Sequence, residues 1–132
     1  MTNSNDDLVK EWYRFAMMDL NAAIYLNTMY PKPLEIICYH CQQSVEKIFK
    51  GFLISNNIAA PKTHDLHQLR EMCVDLNKDF EDLEGVCTSL NPYGVQPRYP
   101  NEIEVFETDV EKALQSVQTM IEFFEGQGIF NG

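Results

Sequence analysis

The residues of this chain that could do chemistry concentrate between positions 35 and 69. Gln42, Gln43, Glu46, Lys47 and Lys50 follow one another closely, with His40 just before them and His64 beyond a short loop. Leu34, Ile37, Cys38, Cys41, Val45, Ile48 and Phe52 recur at helical spacing, so the polar set falls on the opposite side of an amphipathic helix, a side normally left to water. Groups that carry charge or hydrogen bonds beside a second helix start could instead form a site. In the same helix His40, Ser44, Lys47, Gly51 and Ile54 follow a four-three spacing and make a second line along one face. Gly51 in mid-helix costs ~1 kcal/mol relative to Ala, which predicts a close helix approach there and a half-buried His40 near Lys47.

Asp19 is the first anomaly outside that stretch. It stands where the stripe Leu8, Trp12, Phe15, Ala16, Ala23, Leu26 and Tyr30 predicts an apolar residue. A buried carboxylate is costly unless paired, so it should meet a donor from another helix, with Lys47 and Arg98 as candidates. Three readings stay open: a carboxylate at the stripe's edge, a structural buried pair, or a site group. His64 lies at a helix start, where the dipole disfavours the imidazolium. A neutral ring there could serve as base or donor, or simply pack and cap. Tyr93, Arg98 and Tyr99 belong to a loop restrained by Pro92, Pro97 and Pro100. An Arg fork suits phosphate or carboxylate and Tyr offers a stacking face; alternatively Arg98 pins the loop through Asp19 or Glu46.

Helical periodicity dominates the elements that must position these groups, and no strand signal is visible. The spacing predicts a helix from about Asp6 to Met29, stopped by Pro31 and Pro33, and a second from about Pro33 to Asn56. A third opens near Thr63 as N-cap with Asp65 in its first turn, on the stripe Leu66, Leu69, Cys73 and Leu76. A fourth uses Phe80, Leu83, Cys87 and Leu90. The last runs from about Glu107 to Glu125 and is broken by Gly126 and Gly128. Two long helices joined by a short Pro-containing turn should pack antiparallel. The expected fold is all-α, an up-and-down antiparallel bundle of four to five helices in one domain spanning 1–132. Residues 1–6 form a polar tail, and the tail 126–132 docks Ile129 and Phe130 on the bundle or on a partner.

The chain's 132 residues suffice for a real core. With 10 basic and 20 acidic residues its net charge is -10, which repels a polyanion and argues against nucleic-acid binding by this chain alone. The acidity favours a basic protein partner. No basic start, apolar leader segment or membrane-spanning run stands out, so the expected compartment is the cytoplasm. Cys38, Cys41, Cys73 and Cys87 fall on apolar stripes and read as buried free thiols; a second ligand pair for zinc is missing, and neither metal nor cofactor is expected. No Walker loop, dinucleotide fingerprint or nucleophile elbow occurs, and no catalytic residue is assigned.

Taken together, these residues resemble the HEPN domain family (higher eukaryotes and prokaryotes nucleotide-binding). The resemblance rests on Ala16-Met-Met-Asp19-Leu20, on Tyr39 through Lys47 with Lys50-Gly51-Phe52-Leu53, on Pro61 through Leu66, and on Tyr93 with Arg98-Tyr99-Pro100. It covers roughly residues 8 to 125 and implies a helical bundle, usually dimeric. Many members are metal-independent ribonucleases with an Arg followed four to six residues later by His; this chain lacks that pair. It looks closer to members with the Gln-Gln-x-x-Glu-Lys helix and the Arg-Tyr-Pro loop that accompany a small nucleotidyltransferase. That resemblance implies a nucleotide-binding or regulatory module in a toxin-antitoxin-like pair, a homodimer with a nucleotidyltransferase subunit as partner and a nucleotide as ligand. On that reading Lys47 and Arg98 would hold phosphate, Gln43 and Tyr99 the base or sugar, and His64 with Asp19 would orient them. The alternatives are a divergent ribonuclease using His64 with Arg98 or Lys47, or a purely structural interaction bundle.

Overall fold

A computed structural model of the protein describes residues 4–94 and 104–130, so Arg98 and Tyr99 lie outside the described residues. The described chain is all-α. Its helices are α1 (Ser4–Leu26), α2 (Leu34–Ser55), α3 (Leu66–Val74), α4 (Glu84–Leu90) and α5 (Glu107–Gly126), with 3-10 turns at Lys78–Leu83 and Asn91–Tyr93. The expected fourth helix is split: Phe80 and Leu83 belong to the 3-10 turn, and Cys87 and Leu90 to α4. Asn77 caps that turn by accepting from the Asp79 N–H at 3.0 Å.

Cross-links between α1 and α2 fix their direction. Asn5 donates to the Ile54 carbonyl, Ser44 to the Ala16 carbonyl, and the His40 ring contacts Asp19. Rising positions in one helix meet falling positions in the other, as antiparallel packing requires. Gly51 has the role expected of it: a Cβ there would stand 2.6 Å from Tyr13 Cε1 and 3.2 Å from Trp12 Cβ. The missing side chain lets α1 settle onto α2.

Helix α2 is the centre of the bundle, with 14 of its 22 residues buried and with α1, α3 and α5 packed around it. An aromatic cluster joins the elements, with ring centroids 4.6 Å apart for Phe52–Phe80 and 5.5 Å for Phe80–Phe124. The C-terminal tail docks on the bundle, where Phe130 stacks near Phe124 and edges onto Tyr13. All four cysteines are buried and free.

Two expectations about α1 and α3 need correction. Leu8, Phe15 and Tyr30 are exposed rather than part of the core stripe, which consists here of Ala16, Leu20 and Ala23. The periodicity found apolar residues but could not tell which of two apolar sides faces the bundle. Leu76 is also exposed, because α3 ends at Val74 and the chain turns away.

Candidate functional site

Two carboxylates on opposite flanks of α2 organise the charged residues. On the α1 side, Asp19 accepts from His40 Nδ1 at 2.9 Å through one oxygen and from Lys47 Nζ at 2.5 Å through the other. An ionised carboxylate only accepts, so this contact places the proton of His40 on Nδ1. The second line along α2 is therefore its α1-facing line. His40 and Lys47 bind Asp19, Ser44 bonds to Ala16, and Gly51 admits Tyr13. Asp19 is a nearly buried, doubly paired carboxylate, and of its two candidate partners Lys47 is the one that the described residues bring to it.

On the α3 side Glu46 is only 4% exposed. One of its oxygens accepts from Lys50 Nζ at 3.0 Å, and the other from His64 Nδ1 at 2.9 Å and Gln42 Nε2 at 3.3 Å. Gln42, fully buried, also donates to the His64 carbonyl at 3.0 Å and accepts from Gln43 Nε2 at 2.8 Å. The Lys50 ammonium lies 5.9 Å from the centre of the Trp12 ring, within cation–π reach. A buried carboxylate with three donors is what desolvation demands of it.

These positions decide what the amphipathic pattern left open. Gln42, Glu46 and Lys50 do not face water: all three are buried, Gln42 and Glu46 against His64 just ahead of α3 and Lys50 beside Trp12 of α1. The signal that could have found them is their spacing of four residues, Gln to Glu to Lys in the favourable order, on a helix whose apolar residues exceed a single stripe. His64 is also shifted relative to expectation. Asp65, not Thr63, caps α3, taking the His67 N–H at 3.0 Å, while Thr63 Oγ1 accepts from the Asp65 N–H. His64 therefore precedes the helix, its side chain 65% exposed, and is oriented by Glu46.

Of the six candidate residues, Asp19 and Lys47 touch directly, and Gln43 reaches His64 only through Gln42. Arg98 and Tyr99 lie outside the described residues. A cleft of about 300 Å³ lined by Leu8, Glu11, Trp12, Phe15 and Lys47 opens beside the Asp19 cluster. A larger one of about 540 Å³ is walled by Glu71, Asp75, Glu81 and Glu84 with Arg70, a lining that repels an anion.

Residues 9–127 match the family model described as HEPN domain. The chain belongs to the HEPN domain family. No curated protein and no solved structure matches it. HEPN membership points to a nucleotide-related or ribonuclease-like module. The described part of this HEPN chain offers little thiol chemistry, since burial pushes Cys38, Cys41, Cys73 and Cys87 each up to about 12, far from the thiolate that reacts. Among the described residues no group of three or more His, Cys, Asp or Glu could hold a metal ion, and no helix is long and apolar enough to cross a membrane.

Proposed function

We propose that this HEPN chain is a nucleotide-binding and regulatory module, homodimeric, that serves a small nucleotidyltransferase in a toxin-antitoxin-like pair. The observation that carries the nucleotide is Lys47, held by Asp19 at the wall of a cleft that also contains the Trp12 and Phe15 rings. An aromatic face stacks on a base and an ammonium donates to a phosphate oxygen. Lys47 is only a quarter exposed, so a phosphate would share it with Asp19. Asp19 then acts as a positioning residue. The test is thermal melting with a panel of nucleoside mono-, di- and triphosphates, since a ligand that binds the folded state raises Tm by mass action. A nucleotide-dependent rise that Lys47→Ala abolishes while remaining folded is expected; a wild-type melt unmoved by every nucleotide overturns the reading.

A second reading is favoured by one specific feature. The buried Glu46 carboxylate orients the exposed His64 imidazole, the geometry of an acid–base dyad. A divergent metal-independent ribonuclease would use it, with Lys47 or Arg98 for the developing charge. Cleavage of single-stranded RNA in the presence of chelator, lost in His64→Ala, supports this reading; intact RNA at high protein concentration ends it.

A further inference from the structure

We propose that the ligand is a nucleoside triphosphate whose base occupies a second cleft, across Trp12 from Lys47, and whose terminal phosphates lie at Lys47. This rests on the nucleotide reading above and adds where the two ends of the ligand sit. The cleft at Lys47 measures about 300 Å³, the lower end of the range for small-molecule sites. A second cleft of about 490 Å³ opens beside it, walled by Trp12 and Ile54 and closed off by residues 58–60. Leu8 and Trp12 line both, so the two clefts are neighbours separated by one indole ring.

Charge separates the two ends. Among the described residues, no side chain that lines the second cleft is charged, and Lys47 is the one cation in either lining. Lys50, which reaches the Trp12 ring from α2, is taken up by Glu46 at 3.0 Å. Glu11, on the wall of the first cleft, is bound by Arg14 at 2.7 Å. A phosphate chain in the uncharged cleft would give up water with no cation in exchange. A base loses little there and gains a stacking face, which suits any base because each has a π-face.

The helix sets the span. Gln43, Lys47, Lys50 and Ile54 stand four, three and four residues apart and form one line along α2. Lys47 borders the first cleft and Ile54 the second, and seven residues of helix separate them by about 10 Å. That separation exceeds the reach of a single phosphate from its base and suits the extended arm of a triphosphate. The far wall follows from how α2 ends. Asn57 takes φ 62°, a left-handed conformation that Asn tolerates, and the Ile58 N–H bonds back to the Leu53 carbonyl at 3.0 Å. The chain thereby folds back beside Trp12, and the small side chains of Ala59 and Ala60 keep the cleft open.

Isothermal titration calorimetry of the full chain tests this with the four ribonucleoside triphosphates, the matching monophosphates and inorganic tripolyphosphate. Expected is a triphosphate that binds at least ~10-fold more tightly than its monophosphate and than tripolyphosphate, the scale of one stacked base. Ala59→Trp plugs the second cleft from an exposed position, so folding should survive, with far-UV circular dichroism as the control. It should weaken the triphosphate at least ~10-fold and leave tripolyphosphate unchanged. Ala60→Leu, a smaller plug, should act in the same direction, and Lys47→Ala should weaken both ligands. A monophosphate as tight as its triphosphate, or a triphosphate indifferent to both plugs, overturns this placement while the nucleotide reading stands. Tripolyphosphate as tight as the triphosphates overturns the base subsite. Absence of binding by every nucleotide overturns the nucleotide reading itself, and this placement with it.

Discussion

Asp19 and Glu46 are both carboxylates in the bundle's interior, each held by a lysine and a histidine, yet they differ in how they are held. Glu46 draws Lys50 from its own helix, one turn on, and adds His64 and Gln42, so its seam is sealed. Among the described residues Asp19 is held from across a helix interface, by His40 and Lys47, both about a quarter exposed. The first arrangement is that of a group whose charge must be fully compensated to exist where it is. The second leaves a cation within reach of solvent beside an aromatic cleft. Equal chemistry in two surroundings thus separates a buried network, whose exposed edge is His64, from an ion-paired cluster that reaches solvent.

The sharpest way to break this comparison is Glu46→Ala. It strands the Lys50 ammonium, whose side chain is 9% exposed, and a buried charge left without its partner costs about 3–5 kcal/mol. Urea denaturation should show the largest loss of stability here. A loss no greater than that of the Asp19 variant would mean that the two carboxylates are equivalent.

Asp19→Ala should cost less, about 2 kcal/mol, since Lys47 and His40 can turn to water. A double-mutant cycle with Lys47→Ala sharpens the point: coupling of about 1 kcal/mol between the two is expected, and zero coupling would show that the contact carries no stability. Smaller still is Gly51→Ala on the same line of α2. The added methyl meets Tyr13 and Trp12 at a cost of about 1–3 kcal/mol, offset by about 1 kcal/mol of helix propensity. A urea midpoint that rises rather than falls would show that α1 is free to move away from α2.

Much of this was legible in the residues. The four-three line His40, Ser44, Lys47, Gly51 marks the α1-facing side of α2, because a mid-helix glycine makes little sense except at a close approach. An aspartate in an apolar stripe demanded a donor, and Lys47 provides it. The Gln42–Glu46–Lys50 ladder was legible only as a polar side that could form a site, since a 3.6-residue period records which residues share a side and not how many sides are covered. The split near Leu83 escaped notice because a 3-10 turn keeps apolar residues at nearly the same spacing as an α-helix.

By itself the sequence determined the two long helices and the last one, the order of the elements, the antiparallel α1–α2 pair and membership in the HEPN family. Local periodicity, prolines and capping residues act over a few positions and need no knowledge of what lies opposite. Only the tertiary structure decided which polar residues are buried, that Glu46 gathers Lys50, Gln42 and His64, and that α1 carries a second apolar side facing outward. Burial and charge pairing depend on what packs against a face, and that is a property of the assembled bundle rather than of any one helix.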